Sequence, residues 1–214
     1  MDERYVSKEE VRPLRKQFHE WMQSIHDQLK DKGVSFTYML VGSAKRNLVV
    51  RHHNKGFDCD YQIKITRNSY DLEEKELKDL FRNSLNKVVN KNGYSDCEDS
   101  TSSLTIKKKG DKSNIEHSYD VVILTQDKKG YKILRYHKPP IGDGSYVFEP
   151  LPDMSSAREN FQLIYGKEMW DKLRDIYYIK KMNELSDNCR TGKKSFQLLN
   201  EAVNEVLQIN KNGE

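Results

Sequence analysis

Long apolar runs and paired cysteines are both scarce in this chain of 214 residues. No apolar run approaches the length of a transmembrane helix, and the start, Met1 to Arg4, lacks the apolar core of a signal peptide. The three cysteines, Cys59, Cys97 and Cys189, are far apart and lack metal-ligand spacing. These absences argue against a membrane protein and a secreted disulfide scaffold, and they predict a cytoplasmic protein that contacts no membrane.

Charge is abundant but nearly balanced. The length of 214 residues indicates one large domain, or one domain with a helical appendage. Charged residues make up 33% of the chain and hydrophobic residues 36%, which indicates a heavily ionised surface. The formal net charge of +4 allows an anionic partner such as a nucleotide or RNA, but it does not require one.

Two aspartates in an apolar run are the strongest chemical signal. The segment 57–65 reads FDCDYQIKI, and its alternation predicts a strand with Asp58 and Asp60 on one face and Cys59 and Tyr61 on the other. Neighbouring carboxylates on one face repel each other, so a cation is expected between them. Oxygen ligands of this kind favour Mg²⁺ or Mn²⁺.

A third carboxylate interrupts a later apolar segment. Asp120 lies in the run 118–124, SYDVVIL, where burial of an acid is costly unless it is paired or bound to a metal. If this strand lies beside the first, three carboxylates converge, as in-line attack on a phosphate with two metal ions requires.

These residues, together with the segment LVGS at 40–43, resemble a known enzyme family. A Gly-Ser turn, a spaced Asp-x-Asp and a third acid on a later strand are similar to the nucleotidyltransferases of the DNA polymerase β superfamily. The likeness extends over about residues 36–124, and more loosely over the helices after 155. The chain resembles the oligoadenylate synthetase and cyclic GMP-AMP synthase type and the minimal nucleotidyltransferase branches of this superfamily.

The resemblance implies an α+β fold, with a mixed, largely antiparallel sheet, flanking helices and a short C-terminal helical region. Residues 1–150 would form the catalytic core, and residues 151–214 the helical region that closes the nucleotide cleft. Sequence patterns agree: amphipathic helices are expected at 7–32 and 71–91, packed on the sheet face opposite the acids. Strands are expected near 36–41, 57–66, 102–109, 115–125 and 131–138, and helices after Ser155 with a break near Asp187–Gly192.

The same resemblance implies a metal-dependent transferase. Asp58, Asp60 and Asp120 would be catalytic and would bind Mg²⁺ (or Mn²⁺), and Gly42 and Ser43 would hold the phosphates of an NTP such as ATP. A nucleoside monophosphate would pass to a hydroxyl acceptor, with release of pyrophosphate. In the helical part, Lys193, Lys194 and Ser195 would approach the triphosphate, although a capped helix start with solvated lysines explains that stretch equally well.

Other interpretations remain open from the sequence. The chain is also compatible with a catalytically silent nucleotide- or RNA-binding member of the fold, or with a non-enzymatic interaction domain whose acids lie on a solvent-facing edge strand. The acceptor is open between RNA, a second nucleotide, a small molecule and a protein hydroxyl. His52 and His53 are interpreted as part of a polar loop rather than as metal ligands, because Mg²⁺ sites do not need imidazole.

Overall fold

The computed structural model describes residues 3–53, 56–110, 114–139, 143–186 and 191–212. The chain divides into two compact units. The sheet unit comprises Val6–Val49 and Asn54–Leu151, and the helical unit comprises Met1–Tyr5, Val50–His53 and Pro152–Glu214. The predicted division into residues 1–150 and 151–214 stays a prediction.

Among its described residues, the sheet unit contains three α-helices and seven strands. The helices are α1 (Lys8–Lys30), α2 (Gly42–Arg46) and α3 (Glu74–Val89). The strands are β2 (Val34–Leu40), β4 (Phe57–Asn68), β5 (Glu98–Asp99), β6 (Ser103–Lys109), β7 (Ile115–Asp127), β8 (Gly130–His137) and β9 (Ser145–Pro150). The helical unit contains β1 (Arg4–Tyr5), β3 (Val50–Arg51), α4 (Ser155–Gln162), α5 (Gly166–Leu185) and α6 (Ser195–Asn212).

One mixed sheet forms the centre of the sheet unit, in the order β2-β4-β7-β6-β5, and β8 and β9 extend it from the later part of β7. The β4–β7 pair is parallel and the other pairs are antiparallel. The predicted α+β class with a largely antiparallel sheet is therefore confirmed. Because β4 is hydrogen-bonded on both sides, the Asp-x-Asp strand is not an edge strand.

Helix α1 covers one face of this sheet. It starts with a capping box between Ser7 and Glu10, and Pro13 lies inside its second turn, where it removes one amide donor without ending the helix. Its buried stripe follows helical spacing and consists of Val11, Phe18, Trp21, Met22, Ile25 and Leu29. Phe18 stacks on Tyr61 of β4, with 3.6 Å between ring centroids. Both α1 and α3 contribute to the core on this face, as predicted.

Several local predictions need correction. The segment 145–150 forms strand β9, where the sequence predicts no strand, because its pairing with β8 supplies order that its mixed composition does not signal. His52 was predicted in a polar loop, but it is buried, with 8% of its surface exposed. Cys189 and most of the predicted break at Asp187–Gly192 lie outside the described residues.

The helical unit is organised around α5. Tyr5 donates a hydrogen bond from its hydroxyl to the Arg174 carbonyl at 2.6 Å, and the Arg174 guanidinium lies 3.9 Å from the Tyr5 ring centre. Tyr178 donates to the Glu3 carbonyl at 2.8 Å. These contacts attach the short β1–β3 ladder to α5. None of the described helices combines the length and the apolar character needed to cross a bilayer.

Candidate active site

Strands β4 and β7 bring the three predicted acids together. In the parallel register Asp60 lies beside Asp120, and Asp58 lies beside Ser118. Adjacent strands are about 4.8 Å apart, so the paired carboxylates are near neighbours. Asp58 lies on the same face two residues earlier along β4.

The other face of the same strands is core. Cys59, Tyr61, Tyr119 and Val121 are all buried, whereas Asp58 is exposed and Asp60 and Asp120 are partly exposed. Burial raises the pKa of the Cys59 thiol to about 12, so the cysteine between the two aspartates is a protonated core residue. The predicted alternation therefore separates the acids from the apolar side chains.

Two hydroxyl groups orient the acids. Thr105 on β6 lies opposite Asp120 and donates a hydrogen bond to its Oδ1 at 2.5 Å. Ser118 donates to Oδ1 of Asp58. Sequence reasoning missed both residues. Ser118 could have been predicted, since it lies two residues before Asp120 on the same strand face. Thr105 could not have been predicted, because neither strand's sequence specifies how β6 and β7 pair.

Asp120 carries an electrostatic cost in the folded protein. Burial raises the pKa of its carboxyl, the nearby Asp58 charge raises it further, and the hydrogen bond from Thr105 opposes both effects. A folded-state pKa above the unfolded value means that ionisation of Asp120 favours unfolding. In metal-free protein, this contribution to stability is therefore complete below the unfolded pKa and is lost as pH rises through the folded pKa.

We expect Asp120→Asn to raise the melting temperature of metal-free protein at pH 7, because the amide removes the buried charge and still accepts from Thr105. Each kcal/mol of relief corresponds to about 2–4 °C in a protein of this size. Asp127→Asn, on the same strand, is the control: hydrogen bonding to Lys132 lowers the pKa of Asp127, so its charge is favourable. Thermal melts with chelator at pH 5 and 7 test this. A decrease in melting temperature for Asp120→Asn would contradict the assignment.

A backbone hydrogen bond places Gly42 next to Asp60. The Val41 amide donates to the Asp60 carbonyl at 2.8 Å, and Gly42 has a positive φ of 64°. A β-carbon at Gly42 would lie 2.2 Å from Oδ2 of Asp60. Because no other residue provides this clearance, the glycine allows the turn to approach the carboxylate.

The turn continues directly into helix α2. Ser43 lies in its first turn and is partly exposed, and the first amide groups of a helix have no partner within the helix. Leu48 donates its amide to the Ser43 carbonyl at 2.9 Å, and Arg46 donates to the Gly42 carbonyl at 3.1 Å. The Gly-Ser pair therefore forms the start of this short helix, whose end is held by local hydrogen bonds.

The C-terminal candidates lie in the helical unit, at the start of α6. Lys193 forms an ion pair with Glu201 at 2.6 Å, and Ser195 accepts a hydrogen bond from Lys181 at 2.7 Å. The Lys194 amide donates to Gln197 at 2.7 Å, as expected for a capped helix start. A role for these three residues at a triphosphate stays a prediction.

The acidic residues fit a divalent cation. Three carboxylates share one face of two adjacent strands, two of them held by hydroxyl donors, and the glycine next to Asp60 leaves space that a side chain would fill. The raised pKa of Asp120 shows an electrostatic cost that a cation would remove. All the donors are oxygens, which suits Mg²⁺ or Mn²⁺.

Solved structures with a similar fold include bacterial cyclic-dinucleotide synthases. The GTP-bound form of DncV from Vibrio cholerae superposes with a TM-score of 0.56 at 17% identity, covering 94% of this chain and 52% of DncV. The CdnE c-di-GMP synthase from Capnocytophaga granulosa has a TM-score of 0.60 at 16% identity, covering 94% of this chain and 61% of CdnE. The chain thus spans roughly half to three fifths of these enzymes.

No protein-family model matches the chain, and no curated protein sequence does. The likeness therefore concerns the fold, and it confirms the fold that the Gly-Ser turn and the three acids had suggested. The likeness covers 94% of a chain that contains a parallel β4–β7 pair, a mixed sheet and flanking helices. This chain has the α+β nucleotidyltransferase fold.

Proposed function

We propose that the protein is a metal-dependent nucleotidyltransferase, which transfers a nucleoside monophosphate from an NTP to a hydroxyl acceptor and releases pyrophosphate. The observation that carries the proposal is the register of β4 and β7, which sets Asp60 beside Asp120 with Asp58 on the same face. A phosphate-binding role needs a close backbone approach, and Gly42 lies directly against Asp60.

In this proposal Asp58, Asp60 and Asp120 would hold Mg²⁺ or Mn²⁺. The bound ions supply charge neutralisation for the triphosphate and lower the pKa of the acceptor hydroxyl. The chain itself orients the carboxylates of Asp120 and Asp58 through hydrogen bonds from Thr105 and Ser118. At Gly42 the absence of a side chain keeps the space beside Asp60 clear.

Asp120 is the proposed base for the acceptor proton, directly or through one water. Thr105 occupies one of its oxygens, which leaves the second oxygen for the hydroxyl or the water. The amides of the first turn of α2 and the Ser43 hydroxyl are proposed to bind the β- and γ-phosphates. Lys193, Lys194 and Ser195 are proposed to contribute from the helical region, which would close the cleft over the nucleotide.

The first acceptor to test is a second nucleotide. A DncV structure with TM-score 0.56 was solved with the linear intermediate pppA(3′,5′)pG, a nucleotide joined to a nucleotide. RNA, a small molecule and a protein hydroxyl are the other acceptor classes. The cytoplasmic location stays a prediction.

We expect purified protein to release pyrophosphate from at least one NTP in the presence of Mg²⁺ or Mn²⁺, and not with EDTA. The assay combines each of the four NTPs, alone and in pairs, and measures pyrophosphate with a coupled enzyme. Absence of both NTP binding and release under every metal condition would contradict the proposal. Metal-dependent binding without release on any acceptor would instead support a silent nucleotide-binding protein.

A basic groove gives this second candidate a structural basis. The groove has a volume of about 740 Å³ and runs along α1 and the β2–α2 corner. Its basic lining residues are Lys8, Arg12, Arg15, Lys16, His19 and Lys45. Tyr61 also lines it, so the groove lies on the sheet face opposite the acids and suits an anionic ligand independently of turnover.

A further inference from the structure

We propose that Glu3, His52 and His53 form a second metal site that binds Zn²⁺ or a related transition-metal ion. The three side chains offer two imidazole nitrogens and one carboxylate oxygen, and their donor atoms all lie within 4.8 Å of one another. The site belongs to the helical unit and does not depend on the proposed transferase activity.

The β1–β3 ladder explains why residues so distant in sequence meet. Arg4 pairs with Arg51 and Tyr5 with Val50 in an antiparallel register, which places Glu3 opposite His52 at the next step. Side chains directly opposite each other in such a ladder lie on the same face, with β-carbons about 4.5–5.5 Å apart. The Glu3 carbonyl also accepts from Tyr178 of α5, which holds the strand in place.

His53 joins this pair because its backbone leaves the strand conformation. Its φ is 52°, in the left-handed region that non-glycine residues adopt only at an energetic cost. Successive side chains of a regular strand point to opposite faces, but here the His52 and His53 rings lie 4.2 Å apart between centroids. An uncommon backbone conformation that gathers two imidazoles is typical of a constrained functional position.

The distances are compatible with tetrahedral coordination. Oε1 of Glu3 lies 2.9 Å from Nε2 of His53 and 3.6 Å from Nε2 of His52. Ligands of a tetrahedral zinc ion, each about 2.0–2.1 Å from the metal, are separated by about 3.3–3.4 Å. The two observed distances lie on either side of this value, and the donor atoms of the two histidines lie within 4.8 Å of each other.

The donor set also selects the metal. Imidazole nitrogen suits zinc, copper, nickel and cobalt, whereas Mg²⁺ prefers oxygen, so this site and the aspartate cluster would prefer different ions. The side chain of His52 is only 9% exposed, while those of His53 and Glu3 are 40% and 42% exposed. One side of the site therefore faces solvent, which leaves a position for water as the fourth ligand. A bound ion would cross-link β1 to β3, and it would thereby close the loop of chain that runs from Glu3 to His52.

The test uses the full chain, stripped with chelator and held in excess Mg²⁺ so that the aspartate cluster is saturated. Zn²⁺ is titrated against a chromogenic chelator, and Co²⁺ is added separately to record its visible spectrum. We expect one Zn²⁺ per chain, a higher melting temperature with Zn²⁺, and the intense visible bands of four-coordinate Co²⁺.

His53→Ala and Glu3→Gln each remove one ligand at a partly exposed position, so folding should survive. Each should weaken Zn²⁺ binding at least about tenfold. Loss of a residue that only hydrogen-bonds to a metal ligand already weakens metal binding by about that factor. His137→Ala is the matched control, because His137 contacts Glu149 at 2.7 Å on β8 and β9 without belonging to the cluster. Unchanged Zn²⁺ affinity in both cluster variants, or absence of Zn²⁺ binding in the wild type, would overturn the proposal and leave a hydrogen-bonded His–Glu cluster.

Discussion

Asp60→Asn is expected to reduce the rate of pyrophosphate release by about a thousandfold or more, corresponding to about 4 kcal/mol in the activation barrier. The amide has nearly the shape of the carboxylate but lacks the charge that would hold a divalent ion between Asp60 and Asp120. Asp58→Asn should have an effect in the same direction. The measurement is the initial rate with saturating NTP and Mg²⁺, together with a thermal melt to show that each variant is folded.

Asp127→Asn provides the matched control for this loss. It makes the same chemical change on strand β7, at the end that pairs with Gly130. We expect its rate to remain within about twofold of wild type, because a substitution away from the site is usually close to neutral. Wild-type activity in Asp60→Asn, or an equal loss in Asp127→Asn, would remove the aspartates from the catalytic role.

Gly42→Ala is the second variant with a large expected effect. Its β-carbon would lie 2.2 Å from Oδ2 of Asp60, so either the turn or the carboxylate must move. A displacement of about 1 Å at a reacting group costs on the order of a hundredfold in rate. We therefore expect pyrophosphate release to fall by about that factor, and metal affinity to fall with it, because the disturbed residue is a proposed ligand.

Gly166→Ala separates backbone strain from this contact. Gly166 has a φ of 71°, close to the 64° of Gly42, but a β-carbon there would meet no atom within 4 Å. Both variants should lose roughly 1 kcal/mol of folding stability from the left-handed conformation. Only Gly42→Ala should lose activity at a temperature where both are folded. Equal activity in the two variants would show that the close approach to Asp60 has no catalytic importance.

Much of the candidate site could be predicted because it depends on local periodicity. The alternation around Asp58 and Asp60 assigns each side chain to a face, and the structure buries Cys59 and Tyr61 as that alternation requires. The stripe of α1 is likewise a property of helical spacing, and the fold comparison confirms the architecture that the three acids suggested.

Features that depend on long-range register could not be predicted. Thr105 reaches Asp120 only because β6 pairs with β7 at one particular offset, and neither strand's pattern specifies that offset. The cluster of Glu3 with His52 and His53 depends on a two-residue ladder and on one left-handed residue, and both are too short to leave a periodic signal. Strand β9 was missed for a related reason, because its order comes from pairing with β8.

A crystal of the protein grown with Mn²⁺ and a non-hydrolysable NTP tests the central claim most directly, through the anomalous signal of manganese. The account predicts manganese peaks coordinated by Asp58, Asp60 and Asp120, with the triphosphate against Gly42 and Ser43. Nucleotide bound elsewhere, or manganese absent from the three aspartates while nucleotide is present, would contradict it.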